Sequence, residues 1–333
     1  MVKAISLLSG GLDSILATRL IVEQGISVEA VNFVTAFCTC TAKGKSCLAS
    51  QSAADNLGVP LRVFQISDEY FEVIKKPKHG YGSNMNPCLD CRILIFKKAF
   101  EYMKKTGASF VVTGEVLGER PMSQRKDAMQ TIERESGLAG LIVRPLCAKL
   151  MEPTIPEKEG LVDRKKFLTI KGRSRKPQIQ LAKDFGINDY PCPAGGCLLT
   201  DPGFAARMRD LIKYTPGFTQ NDVQLLKVGR LFRLSPEAKL VVGRNEKENE
   251  SLSALKREDD YELSPSIAKG PTAIGRGKFE DKDLTTAAGI IARYSDAGHD
   301  ESVKILLNKD KTSISNHLES LPLADATLHD LRV

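Results

Sequence analysis

The sequence contains no tryptophan, and aromatic residues make up only 6% of its 333 positions. A wide aromatic platform for stacking nucleic-acid bases is therefore not the expected mode of binding. No apolar run approaches the roughly 18 residues of a membrane span. The N-terminal residues predict a strand that runs into a glycine turn, without the small-residue cleavage site of a signal peptide. We therefore expect a cytoplasmic protein without a membrane association.

Histidine is also scarce, and the four residues are scattered, so no histidine-based metal site is predicted. Cysteine is abundant, with eight residues. Structural disulfides are rare in the cytoplasm, so this number predicts metal binding or thiol chemistry instead. The cysteines fall into three groups and one isolated residue: Cys38, Cys40 and Cys47; Cys88 and Cys91; Cys192 and Cys197; and Cys147. We expect Cys147 to lie in the core.

Short apolar strands alternate with helices through the first half of the chain. Strands are predicted at 3–8, 28–35, 61–66 and 109–113, with a helix at 88–105. This alternation predicts an α/β fold with a doubly wound parallel sheet, in which ligands bind at the carboxyl ends of the strands. The pattern stops after Pro202. We predict two domains, 1–202 with the α/β fold and a smaller α+β domain at 203–333.

A glycine-rich motif, Ser-Gly-Gly-Leu-Asp-Ser, occupies positions 9 to 14 between the first strand and helix. Glycines let the backbone approach a phosphate, and the free N–H groups at a helix start point toward it. Asp13 is unusual beside phosphates and suggests a magnesium ion or a role in orienting the loop. No lysine follows, so the motif is not a Walker sequence.

The motif resembles the PP-loop of the ATP pyrophosphatases, which split ATP between the α and β phosphates and adenylate a substrate. The resemblance implies ATP and Mg²⁺ as cofactors. The implied nucleotide-binding residues are Ser9, Gly10, Gly11, Asp13, Ser14, Asn32, Phe33 and Gly114. Asp13 is also the predicted catalytic residue of the loop.

A second string, Thr-Gly-Glu-Val-Leu-Gly at 113 to 118 followed by Ser123-Gln124, resembles tRNA 4-thiouridine synthases. Arg144-Pro145-Leu146 is similar to the end of the next strand in that family. The resemblance covers roughly residues 3 to 200. The sequence lacks that family's usual RNA-binding region before the PP-loop and its rhodanese-like sulfur carrier, so both tasks must be met differently.

The pair Cys88 and Cys91 follows Asn86-Pro87 at a predicted helix start, a position that lowers a thiol pKa. This segment resembles tRNA 2-thiouridine synthases, and the residues around Cys197 are similar to the region of their second cysteine. In iron–sulfur members of the superfamily, a C-x-x-C and a distant cysteine hold a 4Fe–4S cluster. Cys88, Cys91 and Cys197 match that plan as catalytic and metal-binding residues. Three alternatives stay open: Cys192 as third ligand, structural zinc on all four cysteines, and metal-free thiol catalysis.

Basic residues predict contact with RNA phosphates. One group lies in the stretch 150–185, and a second belongs to Gly-Arg strings at 229–230, 243–244 and 275–278. The segment around 222–310, with Val-Gly-Arg-Asn at 242 to 245, resembles the RNA-binding domain of NFACT proteins. The predicted RNA-binding residues are Arg164, Lys165, Lys166, Arg173, Arg175, Arg230, Arg244 and Arg276. Solvated salt-bridged faces are the alternative.

Together these resemblances imply an ATP-dependent tRNA sulfurtransferase that adenylates a tRNA uridine and replaces its carbonyl oxygen with sulfur. The closest string favours 4-thiouridine, whereas the cysteine pattern favours 2-thiouridine. The expected partners are tRNA and a sulfur donor, either a cysteine desulfurase or inorganic sulfide, and a homodimer is left open. The alternative is a PP-loop ligase or amidotransferase that adenylates a small molecule and carries structural zinc.

Overall fold

The computed structural model describes residues 2–38, 46–190, 197–298, 301–309 and 316–333, without the side chains of residues 46–48 and 316. The chain divides into two compact units, Met1–Thr200 and Asp201–Val333. In the described part of the chain, no helix is both long and apolar enough to cross a membrane. The assignment of separate functions to the two predicted domains stays a prediction.

The first unit is built on a parallel five-stranded sheet with the order β3-β2-β1-β4-β5. The strands are β1 (Lys3–Leu7), β2 (Ser27–Val34), β3 (Leu61–Gln65), β4 (Phe110–Thr113) and β5 (Ile142–Val143). Every pairing in this sheet is parallel. The predicted α/β fold is therefore confirmed, with strand bounds within two residues of those predicted.

Helices cover both faces of this sheet. They are α1 (Leu12–Val22), α2 (Ser46–Leu57), α3 (Ser67–Lys75), α4 (Cys88–Thr106), α5 (Lys126–Ser136), α6 (Ile155–Lys158) and α7 (Lys176–Asp184). On one face, Leu16 of α1 and Ala182 of α7 pack with Phe110 of β4. On the other face, Phe96 of α4 and Ile132 of α5 belong to a second apolar cluster. Two buried layers therefore hold the sheet rigid beneath its carboxyl edge.

The central strand β1 lies between β2 and β4, so the chain leaves β1 and β4 toward opposite sides of the sheet. This reversal opens a crevice at the carboxyl ends of the two strands, where ligands of doubly wound sheets bind. The PP-loop motif follows β1, and Gly114 follows β4. The fold therefore brings both predicted nucleotide-binding strings to one crevice.

The second unit contains an antiparallel sheet with the order β11-β10-β8-β9-β7-β6. Its strands are β6 (Arg230–Arg233), β7 (Ala238–Val242), β8 (Tyr261–Pro265), β9 (Ala273–Gly277), β10 (Val303–Lys309) and β11 (Asn316–Ser320). Its helices are α8 (Pro202–Tyr214), α9 (Gln220–Leu225), α10 (Glu246–Leu255), α11 (Asp281–Arg293) and α12 (Asp325–Leu331). Ile290 and Ile291 of α11 share an apolar cluster with Leu240, Leu263 and Ile305 of the sheet. The predicted α+β character of the second domain is confirmed.

Candidate nucleotide and thiol site

The loop between β1 and α1 is held in shape by glycines and serines. Gly10 has a φ of +79°, and a Cβ there would lie 2.7 Å from the carbonyl carbon of Ala49 in α2. The Ser14 hydroxyl donates to the carbonyl oxygen of Gly11 at 2.7 Å and lies 3.2 Å from the Ser9 hydroxyl. The loop therefore presents the N-terminal N–H groups of α1 in a fixed conformation, which is the geometry of an anion site.

Gly114, at the end of β4, packs directly on this loop. A Cβ at Gly114 would lie 2.4 Å from the carbonyl carbon of Asp13 and 2.5 Å from the backbone nitrogen of Ser14. Neither atom is part of a side chain that can rotate away. The two predicted strings are thus in backbone contact.

A cluster of buried polar atoms adjoins the loop, formed by Asp13, Glu119, Arg175 and Gln178; we call it the polar cluster. Within the described residues, Oδ1 of Asp13, Oε2 of Glu119, Nε of Arg175 and both amide atoms of Gln178 are buried without a hydrogen-bond partner. Burying polar atoms without hydrogen-bond partners costs free energy unless a ligand, ion or water supplies the missing partner. The polar cluster is therefore the part of the crevice best suited to charged ligand groups.

The electrostatics of the polar cluster favour a bound cation. Burial raises the pKa of the Asp13 carboxyl, and the nearby Arg175 guanidinium opposes the increase. Burial and the charge of Asp13 both raise the pKa of Glu119. A divalent ion beside two carboxylates would reverse both effects.

Glu119 and Gln178 were not predicted as site residues from the sequence. Glu119 comes directly after the Thr-Gly-Glu-Val-Leu-Gly string, which is the one signal that marks it. Gln178 reads as a surface residue of a basic helix, yet its side chain is fully buried. Arg175 lies beside Asp13, and its predicted RNA contact stays a prediction.

Asn32 and Phe33 of β2 make contacts with neighbouring elements. The Asn32 amide donates to the hydroxyl of Ser50 in α2 at 3.0 Å. The Phe33 ring stacks on Phe64 of β3, with centroids 5.4 Å apart. These contacts explain both residues in terms of packing, and their predicted nucleotide contacts stay predictions.

Four cysteines from three parts of the chain form a thiol site: Cys38, Cys88, Cys91 and Cys197. Cys88 is the first residue of α4, and Cys91 lies one turn later. Cys38, which follows β2, pairs with Cys197 in an isolated antiparallel bridge. The charges of Cys38 and Cys88 raise the pKa of the Cys197 thiol, and the charges of Cys197 and Cys88 raise the pKa of the Cys91 thiol. The structure thus brings together the three predicted cysteines and adds Cys38.

The expectation that the helix start lowers the thiol pKa is wrong for Cys91. Burial raises the pKa of Cys91 to about 12, against a hydrogen bond from the Tyr70 hydroxyl that lowers it. Burial also raises the pKa of Cys197 to about 11. Desolvation exceeds the effect of the helix terminus here. These thiols therefore stay protonated near neutral pH unless an electrophile or metal takes the proton's place.

Within the described ranges, no three histidine, cysteine, aspartate or glutamate side chains are close enough to hold one metal ion. Cys192 lies outside the described residues, as do Cys40 and the side chain of Cys47. A four-iron cluster binds each thiolate through a different iron, so its ligands need not meet at one point. Cys147 is fully buried, as predicted for a core residue, and its thiol donates to the carbonyl oxygen of Glu115 at 3.3 Å.

A buried ion network links the thiol site to the crevice. Arg92 in the first turns of α4 contacts Oε1 of Glu115 at 2.6 Å, and Arg144 contacts Oε2 at 3.0 Å. Arg144 is also paired with Glu133 of α5. The two arginines hold the pKa of the buried Glu115 carboxyl below its usual value despite desolvation. Glu115 thus fixes the start of α4 against the turn that follows β4.

Some of the predicted RNA-binding residues of the first unit are exposed, and others are held in contacts within the protein. Lys165, Lys166 and Arg173 are exposed. Arg164 is paired with Glu157 and donates to the carbonyl oxygens of Ala148 and Met151. The Arg164 guanidinium therefore holds a local turn together, and its predicted RNA contact stays a prediction.

In the second unit, Arg276 is only 7% exposed. Its guanidinium contacts Oδ2 of Asp260 at 2.6 Å and Oδ1 of Asp222 at 3.0 Å. A phosphate would have to displace two buried carboxylates to reach this guanidinium, and the predicted RNA contact of Arg276 stays a prediction. Arg244 has 42% of its side chain exposed. Arg230 is half-buried, with its guanidinium 4.5 Å from the centre of the Tyr294 ring.

Comparison with known proteins supports both predicted resemblances. Residues 1–153 match the family model described as Thiamine biosynthesis protein (ThiI), and residues 229–332 match that of the NFACT protein RNA binding domain. A probable tRNA sulfurtransferase of Ureaplasma parvum is 35% identical over 44% of this chain and 37% of its own length. A tRNA-specific 2-thiouridylase MnmA of Leptospira biflexa is 32% identical over 34% of this chain and 33% of its own length.

A solved 4-thiouridine synthetase in complex with RNA and ATP is similar with a TM-score of 0.35 and 20% identity, covering 56% of this chain and 51% of that one. The chain spans little more than a third of the length of the curated relatives it matches. The two family-model matches confirm the predicted resemblances of the first and second parts of the chain.

Proposed function

We propose that this chain, with a ThiI-like first part and an NFACT-like second part, is an ATP-dependent tRNA-thiolating enzyme. The observation that carries the proposal is the arrangement of the first unit. The PP-loop, the polar cluster and the start of α4 with its cysteines all lie at the carboxyl edge of one sheet. A nucleotide-activating site next to a set of thiols is what a two-step exchange of oxygen for sulfur requires.

In the first step, a uridine carbonyl oxygen of tRNA attacks the α phosphorus of ATP, and pyrophosphate leaves. The N–H groups at the start of α1, with the Ser9 and Ser14 hydroxyls, bind the phosphates. Arg175 neutralises negative charge near Asp13. The unpartnered carboxylate oxygens of Asp13 and Glu119 fit Mg²⁺, which is held by one or two carboxylates together with substrate phosphates.

In the second step, sulfur attacks the adenylated carbon, and AMP leaves with the original oxygen. Activation is needed because a pyrimidine carbonyl oxygen is a very poor leaving group. Cys88, Cys91 and Cys197 are the residues that would hold a 4Fe–4S cluster, which would supply an iron without a protein ligand to carry the sulfur. The raised pKa values of the Cys91 and Cys197 thiols, caused first by burial and then by neighbouring thiols, fit a cationic centre. We favour 4-thiouridine as the product.

The adenylation step is tested by Asp13→Asn. This change keeps the shape of the side chain but removes its charge from the polar cluster, so we expect tRNA-dependent pyrophosphate release and thiouridine formation to fall roughly 10²-fold or more. Asp127→Asn, which alters an exposed carboxylate paired with Arg125, is the control and should retain activity. Activity of Asp13→Asn equal to wild type would contradict the assigned role.

The same assay separates tRNA thiolation from the alternative, a ligase that adenylates a small molecule. If tRNA is the substrate, pyrophosphate release requires tRNA, and mass spectrometry of the digested tRNA finds one oxygen replaced by sulfur. Pyrophosphate release without tRNA, and no thionucleoside, would favour the alternative. The position of sulfur on the ring distinguishes 4-thiouridine from 2-thiouridine.

The RNA-binding role of the second unit is tested by comparing two arginines. Arg244→Ala should weaken tRNA binding and reduce the slope of log affinity against log salt by about 1, since one phosphate contact is lost. Arg276→Ala should instead destabilise the unit by about 3–5 kcal/mol, because it leaves the buried Asp260 carboxylate without its guanidinium partner. Asp222 would keep its contacts with Lys239 and Arg257. Filter binding across a salt series and thermal unfolding measure the two effects. Arg62→Ala, in the first unit, is the control for loss of an exposed arginine.

A further inference from the structure

The bridge between Cys38 and Cys197 has a specific geometry. The N–H of Leu198 donates to the carbonyl oxygen of Phe37 at 3.2 Å. This bond joins the residue after Cys197 to the residue before Cys38, so the two cysteines form a pair of the non-hydrogen-bonded type. Opposed residues of that type have Cα atoms about 4.5 Å apart and closely approaching side chains. A disulfide requires Cα atoms about 4.4–6.8 Å apart, so this pairing is compatible with one.

Local contacts hold both cysteines in this register. The Cys38 N–H donates to the carbonyl oxygen of Thr35 at 3.3 Å, and the Thr35 hydroxyl lies 3.5 Å from the Cys38 sulfur. The carbonyl oxygen of Cys197 accepts from the N–H of Thr200 at 2.9 Å and from its hydroxyl at 2.7 Å. Between them, Phe37 is fully buried against Tyr70. The pairing is therefore set by ordered backbone on both sides.

We propose that Cys38 and Cys197 are a reversible dithiol–disulfide pair. With a low-molecular-weight disulfide as oxidant, the thiolate of one cysteine attacks an oxidant sulfur and releases one small thiolate. The second cysteine attacks the mixed disulfide, forms the Cys38–Cys197 bond and releases the second small thiolate. The two protons lost by the cysteines end on the two small thiols, and a dithiol reductant reverses the reaction.

The backbone register does not set any of the pairings that involve Cys88 or Cys91. Cys88 and Cys91 both belong to α4, and side chains three residues apart on a helix have Cβ atoms about 5–6 Å apart. A disulfide needs about 3.5–4.5 Å, so this pair requires its two side chains to move closer together. The Cys91 thiol is also desolvated and hydrogen-bonded by Tyr70. Cys197 is accessible in part and already faces Cys38.

The consequence rests on the proposed function: oxidation removes Cys197 from the residues that handle sulfur and leaves the PP-loop unchanged. Oxidised protein should therefore bind ATP but lose thiolation, and a dithiol should restore the activity. The pairing itself can be tested without ATP or tRNA, so a failed pairing is distinguishable from a failed functional assignment.

The test uses the full chain, reduced under anaerobic conditions, freed of reductant and treated with glutathione disulfide. The remaining thiols are alkylated with N-ethylmaleimide, and peptides are mapped without reduction by mass spectrometry. We expect the peptide linking Cys38 to Cys197 to be the most abundant cross-linked species, and to revert with dithiothreitol. Cys38→Ser should abolish it, whereas Cys147→Ala, which changes a buried thiol outside the site, should retain it.

A dominant cross-link of Cys197 to Cys88 or Cys91, or of Cys88 to Cys91, with Cys38 recovered as the alkylated thiol, would overturn the proposal. So would recovery of both Cys38 and Cys197 only as glutathione adducts. Because the wild-type cross-link is measured directly, the result does not depend on how well the variants fold.

Discussion

Gly114→Ala is expected to abolish adenylation although it alters no side chain that carries chemistry. The new methyl group would lie 2.4–2.5 Å from backbone atoms of Asp13 and Ser14. Real Cβ contacts of this length are essentially not found, and neither backbone atom can move without deforming the start of α1. The deformation would displace the N–H groups that bind the phosphates. Misplacement of such groups by 1 Å lowers the reaction rate about 10²-fold or more.

ATP binding by calorimetry and tRNA-dependent pyrophosphate release check this prediction together. Gly217→Ala is the matched control, because no atom lies within 4 Å of a Cβ at that position and its backbone conformation is ordinary. Circular dichroism distinguishes a folded, inactive variant from an unfolded one. A folded Gly114→Ala variant with normal ATP affinity would show that the contact between the two strings is not needed for the site.

Glu115→Ala is expected to be the most destabilising single change in the first unit. It leaves the buried Arg144 guanidinium with only Glu133 and deprives Arg92 of its carboxylate partner. Removing one member of a buried ion pair costs about 3–5 kcal/mol, since an uncompensated charge remains inside the protein. Because Arg92 follows Cys91, the start of α4 should also lose its fixed position beside the crevice.

Chemical denaturation of the full chain, monitored by circular dichroism, measures this loss. Glu69→Ala removes an exposed salt bridge to Lys98 and should cost no more than about 1 kcal/mol. Glu115→Gln keeps the size of the side chain without its charge and should be intermediate. Equal stability of Glu115→Ala and Glu69→Ala would contradict the idea that Glu115 is a central support.

Local sequence patterns predicted the first unit well because they report local physics. The strands β1 to β4 are short apolar runs that end at glycine or polar turns. The PP-loop motif is typical of the turn between a strand and a helix, so its position follows from its sequence. Helix α3 was not predicted because its buried apolar residues are only Tyr70, Phe71 and Ile74 over nine residues. Such a short pattern is not distinguishable from a turn.

What sequence could not predict is long-range pairing. The same basic composition produces an exposed Lys165 and a buried Arg276, because ion-pair partners come from distant segments. The raised pKa of Cys91 likewise arises from burial by residues such as Tyr70, and the helix-start pattern carries no information about that burial. The position of Cys38 in the thiol site follows from its bridge to Cys197, which no local sequence pattern indicates.

That bridge also sets the smallest fragment in which the chemistry can be studied. The parallel sheet is complete at Val143, and the match to the first family model ends at residue 153. Yet Arg175 and Gln178, beside Asp13, and Cys197, opposite Cys38, all come from later in the chain. A truncated protein that ends where the sheet ends would keep the strands but lose Arg175 and Gln178 of the polar cluster and Cys197 of the thiol site. Expression boundaries for the first unit should therefore be drawn after Thr200.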